Sequence, residues 1–324
     1  MGHDVAVRTP YRLPPGRPVL DFALLNTVLA EHLAGLGLDP EPRREKVRAW
    51  THGGIERLVF ADGLTLIHKY GHAPLAQEAA THRVLQAAGV PVATLHSSEV
   101  RDKHMTIVME DLGEAERPAT EDEVLELLLV LHRAPSPPGS PSLSEYTMIT
   151  LPDRARWHLD RLQEAGRWTA LAGRLLDDLD KVRKVSEERC AGADQEPFGW
   201  VHTEIAGNGV HVGPKGIRLI DFARSYVGPV LLDLVSWGDG LDRPRPREAR
   251  AFLERYVDLG GPAATLDRRA GLSAERWALA WLRVWRVEWY LEQSAIRFAD
   301  QGLDPARQAL ARRNMDQALD LLEL

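Results

Sequence analysis

The sequence predicts an α+β fold: a small N-terminal five-stranded antiparallel sheet lobe with one helix, then a larger, mainly helical C-terminal lobe. Three observations predict it. Residues 47–109 carry short apolar runs punctuated by turn signals, with a single helical stretch among them. Beyond residue 112 most apolar residues recur at helical spacing. The chain has 324 residues, more than one ordinary core organises, so two lobes follow.

Taken in order, residues 1–18 are rich in Pro and Arg, lack periodicity and read as an irregular arm. Residues 19–36 place Leu20, Ala23, Leu24, Val28, Leu29 and Leu33 at helical spacing, with Asp21 near the start. Residues 39–46 read as an exposed connector. Strands are expected over 47–50, 57–60 and 64–70. The Asp62-Gly63 pair between two of these runs is a hairpin signal. A helix over 74–88 has Pro near its first turn and is stopped by Gly89; strands over 92–95 and 106–109 close the sheet. Helices are expected over 121–133 (led by Thr120), 152–165, 168–190, 248–259, 274–298 and 305–322. Strand texture returns only at 199–202, 209–212 and 217–221. The division that follows is 1–46 for arm and first helix, 47–111 for the sheet lobe and 112–324 for the helical lobe.

Composition excludes several classes. Hydrophobic residues are 44% and charged residues 27%, which is globular and not disordered. The formal net charge of −7 disfavours nucleic acid as a partner. No apolar run reaches the roughly 18 residues of a membrane span, and the first residues lack a signal-peptide core. Cys190 is the only cysteine, so an intrachain disulfide and a multi-cysteine metal site are excluded. A cytoplasmic protein, monomer or homodimer, is the expectation. Only six of the 40 basic residues are lysines. This reads as the coding bias of a GC-rich genome, and it makes a lysine within an apolar strand conspicuous.

Chemistry concentrates between Trp200 and Asp239. Glu204, Asn208 and Asp221 surround two short strands joined by a Gly-Pro-Lys-Gly turn. A hairpin brings them together. A carboxamide and a carboxylate are oxygen ligands suited to Mg²⁺, and an acidic group a few residues ahead can reach a hydroxyl that attacks phosphorus.

His202-Thr203-Glu204-Ile205-Ala206-Gly207-Asn208, Ile220-Asp221-Phe222-Ala223 and Gly228-Pro229 with Leu232-Asp233-Leu234 resemble, at intact spacing, the motifs of the aminoglycoside and choline type kinase-like phosphotransferases. The sequence departs from the usual pattern at Glu204, where Asp is usual, at Thr203, where Gly is usual, and at Ala206, where His is frequent. The resemblance implies a protein kinase-like fold and an ATP- or GTP-dependent, Mg²⁺-dependent transfer to a small hydroxylated acceptor. It also implies the roles. Lys69, on the third strand, would hold the α/β-phosphates, oriented by Glu78. Gly53 and Gly54, read as part of the first strand-to-strand turn, would cover the phosphates with backbone N–H groups. Met109, Glu110 and Leu112, in the stretch TIVMEDL, would meet the adenine with main-chain groups. Asn208 and Asp221 would bind Mg²⁺, and Glu204 would take the catalytic-base position.

The acceptor region is expected on the helix bearing Trp277, Trp281, Trp285 and Trp289, with Asp239, Trp285, Glu288 and Glu292 as candidates. The four-residue tryptophan spacing reads first as core packing, with one or two rings walling the cleft as the alternative. Alone, Lys69 reads as a solvated strand residue and His202 as a structural hydrogen-bonder. The expected acceptor is an antibiotic of aminoglycoside or nucleoside type. The alternatives are a kinase of a small metabolite (choline, an amino sugar or homoserine) and a nucleotide-binding pseudokinase.

Overall fold

The computed structural model describes residues 20–50, 53–72, 77–206, 209–237, 243–297 and 301–324. The first helix, α1 (Phe22–Gly35), is capped by Asp21, whose Oδ1 accepts the Leu24 N–H at 3.0 Å. Its Leu29 and Leu33 pack with Leu58, Phe60, Leu66 and Val108, so the helix covers one face of the front sheet. That sheet is antiparallel. It comprises β1 (Arg43–Trp50), β2 (Gly53–Val59), β3 (Thr65–His72), β4 (Leu95–Arg101) and β5 (His104–Glu110), in the order β1-β2-β3-β5-β4. The connection between β3 and β4 carries α2 (Gln77–Ala87). At the β2–β3 turn, Gly63 has φ +89°, which glycine adopts without strain, and Asp62 Oδ1 accepts the Leu64 N–H.

β2 begins at Gly53, four residues before the expected start, and the rear-lobe strand Tyr226–Pro229 has no expected counterpart. Two further strands differ from expectation, and both lie at the edges of the front sheet. The first begins at Arg43, inside the stretch read as a connector, so the boundary expected between 46 and 47 falls within β1. Most of its side chains are exposed, so no apolar alternation marks it. The fourth was expected over 92–95 and runs instead over Leu95–Arg101, mostly polar and half-exposed. Val92 makes an isolated parallel bridge with Leu219 of the rear lobe.

The rear lobe is mainly helical: α3 (Glu121–Arg133), α4 (Glu145–Ile149), α5 (Leu151–Glu164), α6 (Thr169–Cys190), α7 (Leu231–Trp237), α8 (Pro246–Asp258), α9 (Ala274–Glu292) and α10 (Asp304–Leu322). Thr120 and Glu123 cap α3 reciprocally, the start expected from Thr120. The helix expected over 274–298 is regular only to Glu292, after which residues Gln293–Arg297 widen into a π turn. Two short ribbons carry the chemistry: β6 (Phe198–Val201) pairs with β9 (Tyr226–Pro229), and β7 (Val210–Gly213) with β8 (Gly216–Leu219). Strand β6 lies close against α3: a Cβ on Gly199 would sit 2.3 Å from the His132 carbonyl oxygen. Among the described residues, no helix is long and apolar enough to cross a membrane.

The tryptophans of α9 divide by helical drift. Four residues turn the helix about 40° past a full revolution. Trp277 and Trp281 are therefore fully buried, both donating to the Arg189 carbonyl, whereas Trp285 and Trp289 emerge at the margin of the core.

Burial of His68 makes stability depend on pH. Its ring is fully enclosed in β3 and neither nitrogen has a hydrogen-bond partner among the described residues, although Nδ1 lies 3.5 Å from Glu56 Oε2. Burial holds its pKa below the ordinary value of 6.5. Below that value the unfolded chain binds the proton more readily, so His68 weakens the fold as pH falls. His68→Phe should flatten the fall in unfolding free energy below pH 6.5 by up to about 1.4 kcal/mol per pH unit. Urea denaturation at pH 7.5 and pH 5.5 measures the difference, and parallel pH slopes for variant and wild type would contradict it.

Candidate active site

Strand β3 pairs with β2 and β5 on either side, and Lys69 sits opposite Ile55 and Ile107. Its side chain is only 6% exposed. Isolated burial of an ammonium group is costly, and two carboxylates compensate it here. Glu78, buried in the first turn of α2, accepts from Lys69 Nζ through Oε1 at 2.6 Å. Asp221, 152 positions along the chain, accepts through Oδ1 at 2.9 Å. Desolvation alone would discharge Lys69, but Glu78 and Asp221 outweigh it and hold the amine charged well above its ordinary range. Burial pushes the Glu78 carboxyl upward against the pull of Lys69. Asp221 is also penalised by burial, yet the Lys69 charge holds its carboxyl below the usual carboxylate range.

Asp221 follows β8 at φ +70°, a left-handed conformation that Asp tolerates better than most residues. Its side chain stays 40% exposed, and the oxygen not bonded to Lys69 has no partner among the described residues. A partly exposed, ionised carboxylate oxygen suits a hard cation such as Mg²⁺. Asn208, the second expected metal ligand, lies outside the described residues, as does Asp239.

The loop after β6 is braced from two directions. Asp233, fully buried on α7, accepts the N–H groups of His202 at 2.5 Å and Thr203 at 2.8 Å. Thr203 holds φ +74°, a strained value for a β-branched residue at a position where the resembling motif carries Gly. The His202 ring spans the two halves of the site: its Nε2–H donates to the Ile220 carbonyl at 2.9 Å, and its Nδ1 accepts the Glu204 N–H at 3.3 Å. The tautomer follows from these partners, and it makes His202 the structural hydrogen-bonder expected. Gly209 closes the loop, since a Cβ there would sit 2.5 Å from the Glu204 carbonyl oxygen.

Glu204, 36% exposed at its side chain, accepts from Arg224 Nη1 at 2.8 Å. The Arg224 guanidinium carbon lies 4.2 Å from the centroid of the Trp289 ring. The sequence reading assigned nothing to Arg224 and placed Trp289 only within the tryptophan stripe. The available signal was position, an arginine three residues past Asp221.

The remaining expected residues divide. Gly53 and Gly54 are the first two residues of β2, not turn residues; positions 51–52 lie outside the described residues. A Cβ on Gly53 would meet the Tyr70 carbonyl at 2.6 Å, and one on Gly54 the Tyr70 hydroxyl at 2.3 Å, so close packing already requires both. At the end of β5, half-buried Met109 pairs with Ile67 and Leu95. The Glu110 N–H is committed to the Thr94 carbonyl, and its carboxylate to Thr94 and Lys215. Leu112 has no main-chain partner among the described residues, which leaves its amide and carbonyl available to a ligand. Lys215, at the β7–β8 turn, also donates to the Asp111 carbonyl at 2.9 Å and ties this connection to the rear lobe.

Glu288 faces the interior and not the cleft. It is 2% exposed and paired with Arg154 at 2.7 Å and His158 at 3.4 Å, both on α5. The sequence misplaced it because a glutamate on a tryptophan-bearing helix reads as solvent-facing until its partners are seen. Glu292 is half-buried in the last turn of α9. Trp285 stacks on Trp289, with centroids 6.4 Å apart and planes 3° from parallel, and its other ring neighbour is Tyr226.

The buried lysine between two carboxylates and the braced loop that carries Glu204 make up the candidate site. The chain belongs to the phosphotransferase enzyme family, whose model matches residues 49–272. It is a phosphotransferase acting on an alcohol group. Solved structures with the same fold include choline kinase from Cryptosporidium parvum Iowa II. That protein is 9% identical, with a TM-score of 0.59 over 94% of this chain and 98% of its own. A thermostable mutant of an aminoglycoside phosphotransferase is 15% identical, with a TM-score of 0.54 over 83% and 94%. An aminoglycoside phosphotransferase from Alicyclobacillus acidocaldarius is 16% identical, with a TM-score of 0.50 over 87% and 91%. No curated protein matches the chain.

Proposed function

We infer that this phosphotransferase uses ATP or GTP with Mg²⁺ to phosphorylate a hydroxyl of a small natural product, an antibiotic of aminoglycoside or nucleoside type. The observation that carries the nucleotide half of this reading is the convergence of Lys69, Glu78 and Asp221 from three separated segments on one buried contact. A cationic group fixed by Glu78 holds phosphate oxygens, and Asp221 with Asn208 would hold the cation. When bound, Mg²⁺ neutralises phosphate charge as it shifts during transfer.

Lys69 enters this chemistry with its orientation set, because Glu78 holds it from the side away from solvent. Leu112 offers a donor and an acceptor to the base. Glu204 accepts the proton of the acceptor hydroxyl as that oxygen attacks the γ-phosphorus and the bond to the departing nucleoside diphosphate breaks, and Arg224 beside it steadies its charge. His202 and Asp233 touch neither substrate; they fix the backbone from which Glu204 projects.

The test is transfer of labelled γ-phosphate from ATP and from GTP, with Mg²⁺, to a panel of aminoglycosides, nucleoside antibiotics, choline, amino sugars and homoserine. Phosphorylation of one antibiotic class is the expected result. Glu204→Ala should lower that rate at least about 100-fold, in the range lost with a general base. Undiminished transfer by this variant would remove Glu204 from the reaction. Fast turnover of choline, an amino sugar or homoserine with all antibiotics inert would replace the acceptor assignment. Mg-ATP binding without transfer to anything would make the chain a pseudokinase.

A further inference from the structure

We propose that Trp289 is a positioning residue for the Glu204 carboxylate, acting through Arg224. The proposal rests on the reading of Glu204 as the base. A glutamate side chain has one more rotatable bond than an aspartate, so from a fixed backbone its carboxylate sweeps a wider arc. The backbone is fixed here by His202 and Asp233, but the Glu204 side chain is over a third exposed. A partner outside the loop must therefore select one point on the arc, and Arg224 Nη1 does so at 2.8 Å.

Arginine is itself long and mobile, and a salt bridge at a half-open surface costs side-chain entropy. The Arg224 side chain is only 18% exposed, and its guanidinium lies over the face of Trp289. Trp289 in turn stacks in parallel on Trp285, which meets Tyr226 of β9. The sequence Tyr226, Trp285, Trp289, Arg224, Glu204 forms an unbroken ladder from the rear lobe's core to the reacting carboxylate. The ring face restrains the guanidinium above it, a contact that arginine makes better than the compact ammonium of lysine. The indole nitrogen of Trp289 is buried and has no hydrogen-bond partner among the described residues, so the position uses the ring's face and not its N–H.

The experiment uses the full chain with Mg-ATP, following inorganic phosphate release with water as acceptor, together with crystal structures of the variants. Arg224→Gln should lower kcat about 100-fold and Trp289→Leu about 10-fold, the scale of an ångström's misplacement, with KM for Mg-ATP within about twofold. Trp289→Phe, which keeps an aromatic face, should recover most of the Trp289→Leu loss. In a Glu204→Gln background neither change should lower kcat further, because residues acting through one group are not additive. Crystals of Trp289→Leu should show the Glu204 carboxylate displaced or without a single position.

An impaired Glu204→Gln beside fully active Arg224→Gln and Trp289→Leu would overturn this proposal while leaving the base assignment standing. So would an unmoved Glu204 in the Trp289→Leu crystals, or an equal loss with and without Glu204. Full turnover by Glu204→Gln would instead sink the base assignment, and the proposal with it.

Discussion

Asp221→Asn should lower phosphoryl transfer by about 10²–10³-fold while the protein remains folded, the scale found when one preorganised electrostatic group is removed from a reaction centre. The substitution is chosen for its backbone. Asp221 sits at φ +70°, and asparagine shares the tolerance of aspartate for that region, whereas alanine would add strain unrelated to charge. What is lost is one anionic oxygen donor facing the cleft and one of the two counter-charges of Lys69. Glu78 remains 2.6 Å from the amine, so the buried lysine keeps a partner and the melting temperature should move by only a few degrees. Steady-state transfer kinetics and a thermal melt on one preparation check both halves. Transfer within threefold of wild type would show that Asp221 does not hold the metal.

The second large effect lies away from the reacting atoms. Asp233→Ala should lower the melting temperature by roughly 5–10 °C and transfer by at least about 100-fold. Both Asp233 oxygens accept buried main-chain N–H groups, from His202 and Thr203, and the carboxylate is fully enclosed. Truncation leaves two donors without acceptors and a void beside His132. Each lost charged hydrogen bond is worth about 1.5–3 kcal/mol. The rate should fall because Thr203 adopts a left-handed conformation that this brace maintains. Calorimetry and transfer assays on Asp233→Ala and Asp233→Asn separate the two consequences. Asparagine keeps the volume and one acceptor, so it should recover most of the stability and only part of the rate. A variant with wild-type melting and wild-type transfer would show that the loop holds its own shape.

Much of this arrangement was legible in the residues, and the exceptions share a cause. The Asp62-Gly63 turn and the Thr120 cap are local signals that the structure places as read, and Lys69 lies in the expected strand, although buried where the residue alone reads as solvated. Edge strands β1 and β4 were misbounded because a strand with exposed faces has no apolar rhythm to betray it. Partnerships across long separations were invisible in the same way. Nothing near Glu288 announces Arg154 and His158, which hold an apparent cleft residue as a buried carboxylate against α5. Nothing near Glu204 announces Trp289, 85 positions on, beneath its arginine. Burial pattern is written along the chain, whereas the choice of partner is made by packing.

Thr203 also bears on how such a protein can be lost and regained by mutation. A loop whose conformation opposes the preference of its own residue depends on distant support, so damage at α7 and damage at the cleft would give the same inactive phenotype. A strain disabled at Asp233 could then regain its phosphorylated product through a change at codon 203 to glycine, whose backbone adopts φ +74° without penalty. The ancestry of this threonine would thus be written in which revertants a selection returns.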